Sequence, residues 1–459
     1  MVSRKVFTGG YLFLIIFLFG MKLSYGQYFA KESRTYIKEE ITPNLTINEG
    51  FLSRQEQGVD VIRDGNVVAK IQLSSPVILS TATQKEPWGF YQFPTIFRRD
   101  NGDLIVQWSM NDDAVSAYGR ERSGALMSRD EGDTWEEVVG SIFSRGRRRL
   151  EYPNGNVLRQ STPTAVHLSN YPAFPKPVCE ESINERLFYF EKDLPDDLRG
   201  MYFTLWDKGS GKAVFFHGTV DDPQLLRCSV SGKMPVVWWV DMRILCDSTL
   251  VAGVYGGYYL NSKGKPLRSS VSFYKSTIQG HHWQLIGKIP YQPIGNKAYE
   301  EWVYDGQDGF TEPAFEVLNN GRFLCVMRSG DTTPLYKSFS DDEGRTWTKP
   351  EPFTPNGVMP MLLKLDNGVL VLASGRPGMQ LRFNLNGDGE VWTEPIEMLP
   401  YTTKEGNFNE WWTCGYPSLL KASENTFYIV YSDFRTLNEK GEYRKSIVFR
   451  KVEVTLTNR

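Results

Sequence analysis

The sequence predicts an all-β protein, a six-bladed β-propeller made of four-stranded antiparallel blades. Short apolar runs rich in Val, Ile, Phe, Tyr and Trp alternate with Gly, Asn and Asp, which is typical of strands joined by tight turns. Almost no segment keeps the apolar period of a helix. A hairpin layout and an eight-residue turn both recur along the chain, and recurring four-stranded units indicate a propeller.

The recurring hairpin reads X-Pro, apolar run, polar turn, apolar run. Four clear copies begin at Phe93, Glu312, Met359 and Tyr416. Two weaker copies begin at Thr162 and Met234. The six copies together predict six blades.

The recurring turn has the pattern S-x-D-x-G-x-x-W, present as "SRDEGDTW" at Ser128–Trp135 and as "SDDEGRTW" at Ser340–Trp347. Degenerate copies are "STIQGHHW", which ends at Trp283, and "NLNGDGEVW", which ends at Trp392. The Asp side chain accepts backbone N–H groups, Gly supplies a positive φ, and Trp packs beneath the turn. We expect this turn at the outer hairpin of a blade, where it serves the fold and not a reaction.

The first 26 residues are predicted to be a secretory signal peptide. Arg4 and Lys5 precede the apolar run "YLFLIIFLFG", which is too short to span a bilayer, and a cut is expected after Gly26. Residues 27–75 form an N-terminal extension, in which "GVDVIRDGNVVAKI" either adds a strand to the last blade or covers one face. Residues 76–459 form the propeller. The protein is therefore expected to be exported, periplasmic or secreted, with no membrane anchor.

The formal net charge of −2 argues against nucleic acid as a partner, because phosphate binding needs a dense basic surface. The one basic cluster, "RGRRR" at Arg145–Arg149, is expected to be a solvated loop. The five cysteines and four histidines have no ligand spacing, so neither a metal nor a cofactor is expected. Cys228 and Cys246 either form a disulfide or remain thiols, and the oligomeric state stays open.

Interleaved with the hairpins, the S-x-D-x-G-x-x-W turns resemble those of the sialidase (neuraminidase) superfamily, also called Asp-box or BNR-repeat proteins. The resemblance extends from about Pro87 to the C-terminus. It implies a glycoside hydrolase of the exo-α-sialidase type, whose partner is a glycan or glycoconjugate substrate. Because non-enzymatic propellers carry the same turns, the heads of the hairpins are more informative about chemistry.

Four residues match the family's site in the right order. Glu312 opens its hairpin where the family has a catalytic Glu, and Arg328 closes the same hairpin where the family has an Arg. Tyr416 opens the last blade at the place of the family's nucleophilic Tyr, and Arg376 matches a further substrate-binding Arg. The alternative is that these residues have no catalytic function. Tyr416 would then be a packed aromatic residue, Glu312 would be a surface charge and Arg376 would stabilise a turn.

The chain departs from the family at the first blade. The family opens this blade with Arg-Ile-Pro or a close variant, whereas "YQFP" places Gln92 at the first of three arginines that hold the substrate carboxylate. Gln donates only neutral hydrogen bonds, and losing one charged contact costs roughly 1.5–3 kcal/mol of binding. The family's acid/base Asp lies in the next loop, where "MNDDAVSAYGRER" offers Asp112, slightly favoured, and Asp113.

Three classes of function follow from these residues. The first is an exo-glycosidase that hydrolyses a terminal sialic acid or a related sugar with retention, using Tyr416 and Glu312. The second is a sialidase-fold glycosidase or lyase that acts on a different acidic or neutral sugar, because of Gln92. The third is a non-catalytic carbohydrate-binding propeller, which would have no need of a base beside a phenol. Trp411 and Trp412 either stack on a sugar or pack in the core.

Overall fold

The computed structural model describes residues 46–47, 57–120, 122–138, 149–181, 186–236, 240–277, 279–292, 309–330, 333–376, 378–399 and 415–457. The predicted signal peptide, Trp411, Trp412 and Cys414 lie outside these residues. Besides strands, the described part contains four short 3₁₀ turns, at Val115–Ala117, Leu168–Asn170, Glu191–Asp193 and Asp196–Leu198. Within it, no helix has the length and apolarity that crossing a membrane requires.

Four strands come before the first repeat hairpin: β1 (Thr46–Ile47), β2 (Gln57–Arg63), β3 (Asn66–Leu73) and β4 (Val77–Thr81). β2 and β3 pair antiparallel across a turn at Asp64 and Gly65, which both have a positive φ. They lie in the stretch that the sequence suggested as an added strand.

The first repeat hairpin belongs to a four-stranded antiparallel sheet: β5 (Phe90–Arg98), β6 (Leu104–Met110), β7 (Ser123–Ser128) and β8 (Glu136–Glu137). β5 and β6 are joined by the "DNG" turn, in which Gly102 has a φ of 97°. A positive φ has no steric cost in glycine, so this residue suits the turn.

Thirteen described strands follow: β9 (Arg149–Glu151), β10 (Val157–Gln160), β11 (Val166–His167), β12 (Cys179–Glu181), β13 (Arg186–Phe190), β14 (Met201–Asp207), β15 (Lys212–Asp221), β16 (Leu226–Val230), β17 (Lys233–Met234), β18 (Val240–Ile244), β19 (Leu250–Val254), β20 (Val271–Ser276) and β21 (His282–Ile289). Two four-stranded units, β9-β10-β14-β15 and β18-β19-β20-β21, form one eight-stranded sheet. A parallel contact between β15 and β21 joins them, with Thr219 opposite His282.

The remaining five of these strands form a separate sheet in the order β11-β17-β16-β13-β12, called here the inserted sheet. The weak hairpin copy at Thr162 opens no four-stranded unit, so that prediction is wrong. The copy at Met234 begins in this sheet, but its apolar run ends with β18, the first strand of a four-stranded unit. Thr162 lies between β10 and β11, and Met234 ends β17. Met234 is buried in a small apolar cluster with Tyr189 and Leu194, so its apolar neighbourhood belongs to the insertion. Cys228 of β16 and Cys246 are not joined to each other, so the disulfide alternative is not formed.

The next two hairpin copies belong to two further four-stranded antiparallel sheets. The strands of the first are β22 (Thr311–Val317), β23 (Phe323–Arg328), β24 (Leu335–Ser340) and β25 (Glu351–Thr354). Those of the second are β26 (Val358–Lys364), β27 (Leu370–Gly375), β28 (Met379–Asn384) and β29 (Ile396–Leu399).

The last sheet joins both ends of the described chain. Its final strands are β30 (Ser418–Lys421), β31 (Thr426–Leu437) and β32 (Tyr443–Leu456). β3 pairs with β32, with Ile71 opposite Val454, and β4 pairs with another part of β32, with Ile78 opposite Val448. The N-terminal strands therefore complete the sheet that the C-terminal strands begin.

Recurring four-stranded antiparallel sheets confirm the predicted all-β propeller class, and the number of blades stays a prediction. Buried apolar side chains fill the space between successive sheets. Phe273 of β20 packs edge-on against Phe315 of β22, with ring centroids 5.5 Å apart. Such contacts account for the high aromatic content, because large rings cover sheets that face one another.

The S-x-D-x-G-x-x-W turns are held by their own side chains. In the first copy the Asp130 carboxylate accepts the Thr134 backbone N–H at 2.8 Å, and the Trp135 indole donates to the Gly132 carbonyl at 2.9 Å. The second full copy repeats both bonds. Of these two bonds, the degenerate copies keep the one from the indole to the glycine carbonyl. All six bonds are internal to the turns, in agreement with a structural role.

Candidate active site

Tyr416 and Glu312, which are 104 positions apart, meet in a hydrogen bond. The phenol of Tyr416 donates to Oε1 of Glu312 at 2.5 Å. Glu312 lies near the start of β22, and Tyr416 lies just before β30. Both side chains are at least nine-tenths buried, at 4% and 9% exposed, so little water competes for the bond.

The backbone of Glu312 has a shape that turns this side chain out of the sheet. Its φ is +49°, which is uncommon for a residue other than glycine, and the pairing of β22 with β23 shifts register between Thr311 and Ala314. Phe93 and Met359, the X residues of two other hairpin copies, also have positive φ values, of 53° and 45°. The X-Pro pattern therefore marks a local bulge, and bulges re-aim side chains.

Arg328 closes the same hairpin and reaches both partners. On β23 it is paired with Thr311, the neighbour of Glu312. Its Nη1 donates to Glu312 Oε1 at 2.8 Å and to the Tyr416 hydroxyl at 3.2 Å, while its Nε donates to the Gly330 carbonyl at 3.3 Å. The hairpin therefore begins on a carboxylate and ends on a guanidinium because the two groups form one ion pair beside the phenol.

The electrostatics of the pair keep the proton on Tyr416 and the charge on Glu312. Burial alone would raise the pKa of Glu312, but the Arg328 charge and the hydrogen bonds from Tyr416 and the Met359 N–H outweigh it and lower that pKa. Burial, and then the neighbouring Glu312 charge, raise the pKa of Tyr416, although Arg328 and Arg376 oppose this. The resting site is therefore a neutral phenol that faces an ionised carboxylate.

Arg376 comes close to Tyr416 through an unusually tight approach of two backbones. It follows β27 directly, it is buried, and its φ is +52°. A Cβ placed on Gly375 would lie 2.0 Å from the Cα of Gly415, so only glycine fits where these segments cross. The Arg376 guanidinium lies 5.3 Å from the centroid of the Trp88 ring. Arg376 thus adds positive charge near the phenol, as its effect on the Tyr416 pKa shows.

Asp112 and Asp113 follow β6, and both are exposed. Both also line the same cavity as Glu312 and Tyr416. Asp113 accepts a 3.0 Å hydrogen bond from the indole N–H of Trp88, whereas among the described residues none donates to the Asp112 carboxylate. The two carboxylates therefore differ in their hydrogen bonds, although the sequence left them nearly equivalent as candidates for the acid/base.

Gln92 has different hydrogen-bond partners from those of Tyr416 and Glu312. It is 1% exposed, and its Oε1 accepts from the Gly89 backbone N–H at 2.5 Å and from Lys445 Nζ at 3.0 Å. Lys445 also donates to the carbonyls of Pro87 at 2.6 Å and Phe90 at 3.2 Å. The Gln92 amide therefore binds the segment that leads into β5.

A cavity of about 960 Å³ opens in front of Tyr416 and Glu312. Among the described residues that line it, Gln92, Arg328 and Arg376 are absent. Glu312 and Tyr416 therefore line the cavity, whereas Arg328 contacts both from outside its lining.

Two aromatic residues of the site were not singled out by the sequence analysis. Phe93 contacts the Tyr416 ring edge-on, with centroids 4.9 Å apart, and lines the cavity. Tyr255 also lines the cavity, and burial, followed by the Glu312 charge, raises its pKa well above the usual value. Phe93 was identifiable as the X of an X-Pro head, but Tyr255 follows β19 without any repeat signal.

Neither a protein-family model nor a curated protein matches the chain. Solved structures do match. A protein of unknown function from Dyadobacter fermentans DSM 18053 has 14% identity and a TM-score of 0.51, over 83% of this chain and 99% of that one.

The matched structures also include sialidases and arabinanases. A Hadza microbial sialidase has 15% identity and a TM-score of 0.46, over 88% of this chain and 74% of that one. Penicillium chrysogenum α-L-arabinanase, complexed with arabinobiose, has 17% identity and a TM-score of 0.43, over 81% of this chain and 98% of that one. At these identities the similarity concerns the fold alone, and the function is argued from the site.

Proposed function

We propose that the protein is a retaining exo-glycosidase of the sialidase type, with Tyr416 as nucleophile and Glu312 as its base. The observation that carries this proposal is the 2.5 Å hydrogen bond from the Tyr416 hydroxyl to Glu312 at the wall of the cavity. A nucleophile and its base must lie within hydrogen-bond reach, and Tyr416 and Glu312 do so.

The choice of a phenol suits one kind of substrate. When the anomeric carbon carries a carboxylate, a carboxylate nucleophile is repelled, and a neutral Tyr is the alternative that glycosidases use. As the Tyr416 oxygen attacks, its proton passes to Glu312 Oε1, and a glycosyl–tyrosine bond forms. Arg328 Nη1, 3.2 Å from the phenol oxygen, stabilises the negative charge that develops there.

Asp112 completes the cycle as acid and then as base. It protonates the leaving oxygen while the bond from that oxygen to the anomeric carbon breaks, and it then removes a proton from the water that attacks the glycosyl–tyrosine bond. Tyr416 recovers its proton from Glu312. We assign this role to Asp112 rather than Asp113, because the indole of Trp88 already engages Asp113. Two displacements at one carbon give net retention.

The sugar itself has two candidates. Sialic acid is the first, because Arg328 and Arg376 stand near the phenol. A different acidic or neutral sugar is the second, because Gln92, buried beside Lys445, adds no charge of its own to the two arginines near the phenol. With Arg328 also paired to Glu312, a substrate carboxylate would be held less strongly than in the three-arginine arrangement that the resemblance implies.

A panel of 4-nitrophenyl glycosides tests the proposal and separates the candidates. The panel contains the α-sialoside, a uronide and neutral glycosides, and each is assayed with the wild type and with Tyr416→Phe. Turnover of any member by the wild type that Tyr416→Phe abolishes supports the mechanism, and the identity of that member decides the sugar. Absence of turnover on every member favours the third possibility, a non-catalytic sugar-binding protein.

A further inference from the structure

Residues 87–90, called here the Trp88 segment, lie directly against the loop that carries Asp112 and Asp113. The two backbones come closest at Gly89, whose φ is +96°. A Cβ placed on Gly89 would lie 2.2 Å from the Asn111 carbonyl oxygen and 2.6 Å from the Asp113 nitrogen. Only glycine fits there, so the loop rests on the backbone of the Trp88 segment.

A side-chain hydrogen bond fastens the same segment to the loop. The Trp88 indole N–H donates to Oδ2 of Asp113 at 3.0 Å. The Trp88 ring packs edge-on against Phe93 and Phe434, with ring centroids 6.4 and 6.2 Å apart, so the indole is itself held in place. Because Asp112 is the preceding residue, the bond to Asp113 also restricts where the Asp112 carboxylate lies.

Gln92 and Lys445 hold the Trp88 segment in turn. Oε1 of Gln92 accepts from the Gly89 N–H at 2.5 Å. Nζ of Lys445 donates to Gln92 Oε1 at 3.0 Å, to the Pro87 carbonyl at 2.6 Å and to the Phe90 carbonyl at 3.2 Å. These three acceptors match the three N–H donors of an ammonium group. One lysine of β32 therefore binds both ends of the segment and the side chain that binds its middle.

Position 92 suits an acceptor and not a cation. Gln92 is 1% exposed, and its Oε1 already accepts two hydrogen bonds, which use both lone pairs. The arginine that the resemblance implies here would place a second buried positive charge beside Lys445, which is costly. Gln92 is also not among the described residues that line the cavity. Its role is therefore to be sought in what it holds.

We infer that Gln92 and Lys445 are positioning residues, which hold the loop of Asp112 and Asp113 in place through the Trp88 segment. Gln92 thereby assists protonation of the leaving group without contacting the sugar. The inference rests on the proposed function for the role of Asp112, but the order of the loop does not depend on turnover.

The order of the loop is measured on the intact protein by hydrogen–deuterium exchange with mass spectrometry, over residues 111–120. In this stretch the backbone N–H groups of Ala117, Tyr118 and Arg120 donate to carbonyls of the same loop. Loosening of the loop therefore appears as faster exchange, with or without a substrate.

Gln92→Met and Lys445→Met should each speed this exchange by roughly tenfold, the usual effect of losing a buried hydrogen bond. Gln284→Met in β21 and Lys451→Met in β32, both at exposed positions, are the matched controls and should leave the exchange unchanged. Thermal melts show which variants are folded at the temperature of the assay.

Gln92→Glu distinguishes an acceptor from a group that binds the substrate. It keeps an oxygen for the Gly89 N–H and for Lys445, so it should restore most of the protection that Gln92→Met loses. If Gln92 instead donated to an anionic substrate through its amide nitrogen, Gln92→Glu would repel that substrate. A KM for the acidic glycoside that rises more in Gln92→Glu than in Gln92→Met would therefore overturn the inference.

A displaced loop should also change how activity depends on the leaving group. The kcat/KM of Gln92→Met should fall roughly tenfold more on glycosides with poor leaving groups than on 4-nitrophenyl glycosides, because the former need the proton of Asp112. In an Asp112→Asn background the same substitution should add no such dependence. Trp88→Phe, which removes the indole donor and leaves the buried pair of Gln92 and Lys445 intact, should reproduce the effect on both exchange and leaving groups.

The outcomes separate this inference from the proposed function. Unaltered exchange in folded Gln92→Met, Lys445→Met and Trp88→Phe overturns the positioning role. Faster exchange with equal losses on all leaving groups overturns its link to Asp112. If exchange rises and Gln92→Glu restores it, but the wild type hydrolyses no glycoside, the positioning of the loop stands and the glycosidase proposal fails.

Discussion

The main-chain N–H of Met359 donates a 2.8 Å hydrogen bond to Oε2 of Glu312, so the head of one sheet fixes the head of the sheet before it. Oε1 of the same carboxylate faces Tyr416 and Arg328. One oxygen is thus occupied by the scaffold, and the other accepts from the phenol. A carboxylate held in this way loses little orientational freedom when a proton reaches it.

Tyr416→Phe should lower kcat by roughly 1,000-fold or more, because the ring remains but the attacking oxygen is gone. The ring contact with Phe93 is preserved, so the melting temperature should change little. Steady-state kinetics on the best aryl glycoside and a thermal melt check both parts. Tyr443→Phe, at a 43% exposed Tyr of β32, serves as control. Full activity in Tyr416→Phe would remove this residue from the mechanism.

Glu312→Gln should change the pH dependence of stability. The pKa of Glu312 is lowered in the folded state, so the stabilisation that it gives is present above its unfolded pKa of about 4.3 and is lost as the pH falls through the folded value. Gln does not titrate. The gap in melting temperature between wild type and variant should therefore narrow as the pH is lowered from about 6 to about 3. A gap that stays constant would show that folding does not lower the pKa of Glu312.

Arg328→Met should move the acidic limb of the profile of kcat/KM against pH to higher pH. Without the guanidinium, burial becomes the main influence on Glu312 and raises its pKa. Turnover should also fall by roughly 100-fold, because the charge that develops on the phenol oxygen loses its 3.2 Å partner. Arg345→Met, in the exposed turn after β24, is the control. A fall in rate without any displacement of the limb would argue against the ion pair as its cause.

Asp112→Asn and Asp113→Asn should behave differently. If Asp112 protonates the leaving group, the kcat/KM of Asp112→Asn should fall by roughly 100-fold or more on glycosides with poor leaving groups. On 4-nitrophenyl glycosides it should fall much less. Asp113→Asn should show no such dependence on the leaving group, since Asp113 is bound to Trp88. A series of aryl glycosides with graded phenol pKa values measures this. The reverse pattern would transfer the role to Asp113.

Gly375→Ala should damage both fold and site. The new methyl group would lie 2.0 Å from the Cα of Gly415, and relieving that overlap should cost about 1–3 kcal/mol of the free energy of unfolding and displace Tyr416. Gly209→Ala is the control, because the nearest atom to its Cβ is 3.5 Å away. Chemical denaturation and kinetics should show losses for the first variant only.

The parts of the fold that repeat were readable from the sequence. Three of the four clear X-Pro heads, at Phe93, Glu312 and Met359, have a positive φ and a register shift in their hairpin, so their shape is set locally. The sequence predicted Glu312 and Tyr416 at the heads of hairpins and Arg328 at the end of one. The structure brings these three together, and their catalytic roles remain predictions.

The features that depend on contacts between distant parts of the chain could not be predicted from the sequence. The inserted sheet pairs segments such as β11 and β17, which share no period, and its Met234-Pro235 was taken for a hairpin head. The Gln92 side chain accepts a hydrogen bond from Lys445, which is more than 350 positions away. The choice between Asp112 and Asp113 depended on Trp88, whose indole direction no local pattern specifies.

The pairing of β3 and β4 with β32 has a consequence for synthesis. Tyr416 lies directly before β30, in the sheet that these strands complete, so its surroundings are finished only when β32 has left the ribosome and paired with β3 and β4. A nascent chain that lacks β32 can form the other sheets, but the sheet that supports its phenol stays incomplete.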